Sequence, residues 1–288
     1  MVYFLKNNRF RYAWTKVAGI LVSALMGIYS AIAWSAPTGL VYTYGNGTIE
    51  QVSNGAGGID TNINALSGNN SLITANTFNL SSVDRVNFNA NQQHRFFVDI
   101  LDTNKTVIAG AITGTGPRTS VYLFGRGGIE LQNGATVNVT GDFLLGRLDD
   151  DNKSLLLNNI ESNNFNGVSI NMISGSNVNI DTGASVQAEG NIIINQGINT
   201  NTPTDRNISG SLMANGDIII NSDSGTTYIG GRNDDVSYIQ AGGHIYFNQT
   251  SNANLIVGEA NNSNVTIVSN NDLNIVGGNN VTINSNNT

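Results

Sequence analysis

The densest group of residues that could do chemistry is the acidic run Asp149-Asp150-Asp151. Three carboxylates supply the oxygen donors that Ca²⁺ takes, and a carbohydrate-active site would also need acids. Neighbouring residues of an extended chain point to alternate faces, so three in a row converge only where the backbone curls. The run therefore reads as a solvated loop between Leu148 and a strand at Leu155–Leu157. Asp234-Asp235, after Gly230-Gly231, reads in the same way, as a turn insertion. The two histidines have no partners at the spacing of a metal site or a catalytic triad. His94 lies in a polar hinge before Phe96-Phe97, and His244 reads as an exposed residue. With no cysteine, disulfides, thiolate metal sites and cysteine nucleophiles are excluded. No phosphate loop, nucleophile elbow or dinucleotide fingerprint occurs. Gly125-Arg126-Gly127-Gly128 is short and flanked by strand-like residues, so it is read as a turn. These observations predict no catalytic residues, no metal, no cofactor and a non-enzymatic protein.

The elements behind these residues follow from composition. Charged residues make up 11% of the 288, and there are 33 Gly, 47 Asn and only three Pro. Soluble domains are typically about 25% charged. Asn and Gly tolerate the positive φ of tight turns, so many short strands joined by turns are expected. Charge is unevenly placed. Residues 1–36 hold Lys6, Arg9, Arg11 and Lys16 and no acid, whereas the remainder holds nine basic residues against 20 acids. That balance is poorly suited to neutralising phosphates, so nucleic acid is not expected as a partner.

The basic leader is followed by the uncharged run Val17–Ala33, and Ala31 and Ala33 place small residues at the −3 and −1 positions of a signal peptidase site. Residues 1–36 are read as an extended Sec-type signal peptide, with the mature chain starting near Trp34 or Pro37. An uncleaved anchor is the alternative, because a run of 17 residues is at the short edge of a spanning helix. Both readings export the rest.

Repeats fix the architecture. Ser185–Asn195, Ser211–Asn221 and Tyr238–Asn248 share one pattern, aligning Ala188, Ala214 and Ala241, then Gly190, Gly216 and Gly243, then the triplets from Ile192, Ile218 and Ile245. Looser copies are Val137–Leu145 and Ile267–Ile275. A period of this size marks a solenoid, whose units bury their apolar faces only by stacking. β-Branched residues and Gly favour strands over helix pairs. Ile192 and Ile194 should face the core, and Ile193 should face outward or into a second contact. Further short strands are expected at Val178–Ile180, Thr226–Ile229, Leu255–Val257 and Val265–Val268. Asn195, Asn221 and Asn248 end the triplets, either as a stacked amide ladder or as turn residues. The prediction is an all-β, right-handed parallel β-helix with an N-terminal cap and small extra-helical strands. It comprises 37–146 as the capped start and 147–288 as coils. The strand pattern continues to Ile283 with no covering helix, so residues 37–288 are expected to be a piece of a longer chain or to associate through that edge.

Residues Thr77–Ala90, Ala109–Thr113 and Val121–Gly141 follow a recognisable order. Phe78, Asn79, Leu80, Val86 and Phe88 come first, then Gly110 and Ile112, then Val121, Tyr122, Leu123, Gly128, Ile129, Ala135, Val137 and Asn138. This segment resembles the N-terminal secretion domain (haemagglutination-activity domain) of filamentous-haemagglutinin-type exoproteins, the passengers of two-partner secretion. The family's Asn-Pro-Asn motif is replaced here by Gly125-Arg126-Gly127. The turn is expected to survive, and to tolerate restoration of that motif.

The resemblance implies a chain recognised in the periplasm by an outer-membrane transporter. It would then be secreted or displayed on the surface of a Gram-negative bacterium as an adhesin-type passenger, with a host-cell or glycan receptor. By the same resemblance, Phe78, Asn79, Val86, Phe88, Gly125, Arg126, Gly127 and Gly128 are the candidate transporter-recognition residues. A carbohydrate-active β-helix enzyme and a structural surface-matrix protein are the alternatives.

Overall fold

The computed structural model describes residues 36–161, 175–197, 206–258 and 263–284. The signal segment, including Ala31 and Ala33, lies outside them. From Ala36 onward the chain is a parallel β-solenoid of about eight turns, about 60% strand with almost no helix. It opens with an antiparallel pair, β1 (Val41–Ser53) on β2 (Ile59–Ala75), which covers the N-terminal edge. β1 carries three register shifts between Tyr42 and Gly47, the kind of irregularity that blunts an edge strand.

Each following coil supplies three strands, one to each of three faces. The first face stacks β3 (Arg85–Ala90), β6 (Ala111–Thr115), β9 (Thr136–Val139), β12 (Ser185–Ala188), β15 (Ser211–Ala214), β18 (Val236–Ala241) and β21 (Asn264–Ser269). The second stacks β4 (His94–Ile100), β7 (Thr119–Gly125), β10 (Phe143–Gly146), β13 (Ile192–Gln196), β16 (Ile218–Ser222), β19 (Ile245–Gln249) and β22 (Leu273–Gly277). The third stacks β5 (Thr106–Ile108), β8 (Ile129–Leu131), β11 (Val178–Ile180), β14 (Asn207–Ile208), β17 (Gly225–Ile229), β20 (Ala253–Val257) and β23 (Asn280–Ile283). β2 is long enough to pair with both β3 and β4, so it joins the first two faces at the cap.

Like residues sit over like. Ala188, Ala214 and Ala241 are paired in register, as are Ile192, Ile218 and Ile245. Ile192 and Ile194 are fully buried in the axial core, while Ile193 is buried in a separate outer cluster. Asn221 donates to Asn195 at 2.8 Å and Asn248 donates to Asn221 at 2.9 Å. The triplet-ending asparagines therefore form the amide ladder.

The glycines at the corner between first and second faces have a cause other than positive φ. A Cβ on Gly190, Gly216 or Gly243 would lie 2.1–2.3 Å from a side-chain oxygen of Asp142, Asn191 or Asp217, respectively. Those oxygens accept the backbone N–H of the residue after each glycine, at 2.9 Å for Asn191 and 2.7 Å for Asp217 and His244. Asp142, Asn191 and Asp217, different residues at equivalent positions of successive coils, thus share one function: each caps the next coil's corner. His244 is half-buried rather than exposed, and its Nδ1 lies 3.4 Å from the Asp272 carboxylate. At the last described rung Ile275, Val281 and Ile283 are exposed.

The acidic run is not a loop, and Leu155–Leu157 is not a strand. The chain leaves the second face after β10 and forms one helix, α1 (Asp150–Glu161). Asp149 Oδ1 accepts the Asn152 N–H at 3.0 Å, an N-cap, and acids in the first turn complement the helix dipole. Leu156 and Ile160, four residues apart, share a face and are both buried.

Candidate functional site

The residues singled out for recognition are mostly structural. Phe78, Val86 and Phe88 have no exposed area: the alternation of β3 turns Val86 and Phe88 into the axial core, and Phe78 enters it from the connection between β2 and β3. Phe88 packs on Phe96 with ring centroids 5.1 Å apart. Asn79 accepts the Val107 N–H at 2.8 Å and so ties the segment before β3 to β5. Gly110 lies where a Cβ would meet the Asp84 and Ser81 carbonyl oxygens at 2.3 and 2.4 Å. A partner meeting this folded domain cannot touch Phe78, Val86 or Phe88.

The Gly125–Gly128 segment is a turn, closed by Gly128 N–H donating to Gly125 O at 3.4 Å. Gly128 has φ +101°, a region that side chains avoid. A Cβ at Gly127 would lie 2.2 Å from the Asn104 carbonyl oxygen. The expected tolerance for Asn-Pro-Asn is therefore overturned: an Asn at Gly127 would have to displace the Thr103–Asn104 backbone.

Arg126 is the member of this turn that reaches outward, and it enters an ion cluster. Its Nη2 lies 3.0 Å from Asp150 Oδ1 and 3.8 Å from Asp99 Oδ2. Asp99, on the outer side of β4, is completely buried and receives Lys153 Nζ at 2.7 Å. Two acids and two bases thus fasten α1 across the second face. Beneath it runs an outward apolar column, Leu72, Phe97, Tyr122, Leu144 and Ile193, each paired in register with the next. Leu148, Leu156 and Ile160 pack on Leu72, Phe97, Phe124, Leu144 and Ile193. Tyr122 is packed against Phe97 at 4.9 Å, and its hydroxyl pKa is raised, first by burial and then by Asp142. The triplet does not converge on one ion, since Asp149 caps the helix and Asp150 pairs with Arg126.

The sequence signal for this cluster was available in part. Asp149 followed by Leu156 and Ile160 at helical spacing marks a capped helix, but its contact with Asp99 spans 54 residues.

His94 is no polar hinge residue. It opens β4, is fully buried, and has Nδ1 2.9 Å from Gly68 O and Nε2 3.0 Å from Ser71 Oγ. Burial, more than the nearby Arg95, lowers its pKa below 6.5, with the Gly68 bond opposing. Because the folded-state value is depressed, its contribution to stability is complete above the unfolded value of about 6.5. It is lost as pH falls through the folded value. Amide protection factors at β2 and β4, corrected for the intrinsic exchange rate at each pH, should therefore fall on acidification from pH 7 toward 5, and less so in His94→Gln. Equal acid sensitivity in both proteins would assign it to other groups.

No family model and no curated protein matches the chain. Among solved structures it is similar to the crystal structure of the HMW1 secretion domain from Haemophilus influenzae. That similarity has 17% sequence identity and a TM-score of 0.44, over 87% of this chain and 72% of that one.

Proposed function

We propose that this chain is an exported, non-enzymatic passenger of two-partner secretion, whose N-terminal coils address it to an outer-membrane transporter and whose solenoid is an adhesin-type display surface. The observation that carries the reading is the correspondence between motif and architecture. The motif residues from Phe78 to Asn138 fall on the first coils, from the bridge at Leu80 through β3, β6, β7 and β8 to β9. Their apolar members are core and their glycines are turns. The pattern thus reflects the fold of a capped solenoid start, and the address belongs to that unit as a whole. Buried side chains such as Phe88 would act through the fold or on the chain before it folds.

The test is export. Deleting the transporter gene expected beside this one should abolish surface appearance, as should removing residues 38–146. Export unchanged by both deletions would overturn the reading, and release of reducing sugars from a glycan panel would favour the enzymatic alternative. Exported protein should begin near Trp34 or Pro37. Self-association through the edge of β23 is part of the same proposal. Light scattering of that material should rise with concentration, and Val281→Lys with Ile283→Lys should reduce it; a stable monomer would remove this part.

A further inference from the structure

The outward residues of the first face change their bonding along the solenoid. In the first coils they satisfy one another. Asn87 donates to Asn62 at 2.9 Å and Thr113 to Asn87 at 2.7 Å; beside them Asn89 donates to Asn64 at 2.9 Å and Thr115 to Asn89 at 2.6 Å. The column of Asn62, Asn87 and Thr113 continues through Asn138, Gln187, Met213 and Gln240, each in register with the next. From Asn138 onward the internal ladder stops. Among the described residues, the side chains of Asn138, Gln187, Glu189, Asn215 and Asn270 have no hydrogen-bond partner.

These residues line a shallow trough of about 530 Å³. It runs across β9, β12, β15 and β18 to the end of β21, so it crosses five rungs. At about 4.8 Å per rung this gives a length of about 19 Å. Its floor is smooth because Ala188 and Ala214 turn inward there. Its walls are the Gln187–Met213–Gln240 column on one side and the corner residues Glu189, Asn215 and Asn270 on the other. No Lys or Arg lines it, and Glu189 is its only ionisable residue.

We propose that this trough binds a neutral glycan chain lying parallel to the solenoid axis. The proposal rests on the adhesin-type reading and supplies it with a site and a ligand class. Free amides offer donors and acceptors together, as hydroxyl groups require. They stand on four of the five rungs, at Asn138, Gln187, Asn215 and Asn270, while on β18 the Gln240 oxygen accepts the Tyr238 hydroxyl at 2.8 Å. A β-linked chain of pyranose rings advances by about one rung per ring. An extended peptide fits less well, because its same-face groups recur at about 6.6 Å. The lone carboxylate and the absence of basic residues exclude an anionic polymer as the preferred occupant.

The experiment is calorimetric titration of the exported protein with neutral cello- and chito-oligosaccharides of increasing length. Affinity should rise with length until the five rungs are covered and then level off. Gln187→Ala combined with Asn215→Ala removes two to four hydrogen bonds and should weaken binding about tenfold or more. Asn274→Ala, outward on the second face, should leave binding unchanged. Three results would each overturn the proposal: no binding of any neutral chain, equal affinity in the double variant, or a preference for peptides or anionic glycans. The titration does not depend on the route of export, so failure here leaves the secretion reading intact, and the reverse also holds.

Discussion

Ile218→Asp is expected to destabilise the solenoid by roughly 4–5 kcal/mol, the sum of a lost core side chain and a buried carboxylate without a partner. Ile218 has no exposed area and stands in a column with Phe143, Ile192, Ile245 and Leu273. The coil cannot turn the new carboxylate to solvent without breaking the register of β16 with both neighbours. One position earlier, Asp217→Asn should be nearly silent, because the amide oxygen still accepts the His244 N–H that Asp217 Oδ1 now holds at 2.7 Å. Asp217→Leu should cost about 1–2 kcal/mol, since it leaves that corner N–H unmade. Denaturant unfolding of the three variants checks this order. Comparable losses for Ile218→Asp and Asp217→Asn would mean that the inward and outward faces of β16 are exchanged.

The second large effect is expected at the helix. Lys153→Met should cost about 2–4 kcal/mol, somewhat below the roughly 3–5 kcal/mol of breaking a buried ion pair, because Arg126 stays 3.8 Å from Asp99. Asp99 Oδ1 already has no hydrogen-bond partner, so losing the 2.7 Å contact to Lys153 leaves the buried carboxylate poorly compensated. The loss should be local. Solenoid coils contact mainly their neighbours, and α1 lies outside the stack. Hydrogen exchange should therefore accelerate in Asp150–Glu161 and on the strands beneath, and remain unchanged in β18 and β19. Combining Lys153→Met with Asp99→Asn should recover much of the stability, since the charge is removed along with its partner. No recovery would show that Lys153 acts through packing of its stem rather than through charge.

Burial also decides how the motif segment is to be understood. Phe78, Val86 and Phe88 mark it in the sequence, yet substituting them tests the core and not a surface. Arg126, by contrast, reaches solvent and holds α1 at the same time, so Arg126→Ala changes the outer face of the first coils without opening the axial core.

The sequence by itself determined the class of fold and the coil length. A solenoid repeats its side-chain environment every turn, so Ala188, Ala214 and Ala241, or Asn195, Asn221 and Asn248, appear at a constant spacing that can be read without coordinates. The alternation Ile192, Ile193, Ile194 likewise assigned two residues to the core and one outward, because a strand has a period of two. Between the ladder and the turn readings of the asparagines, tertiary structure decided. The amide bonds form between different coils, 26 and 27 residues apart.

Features that break the repeat were legible only in part. Among the described residues α1 is the one α-helix, in a chain whose composition argues for strands, and its helical signal is only two buried residues and a cap. His94 looked polar because its neighbours in sequence are polar. It is buried because β2 folds back over it, bringing Gly68 and Ser71 to its two nitrogens. The ion cluster joins Asp99, Arg126, Asp150 and Lys153, and the trough joins Asn138 to Asn270. Both depend on which rungs are adjacent in space, a relation that stacking creates and that local spacing along the chain does not carry.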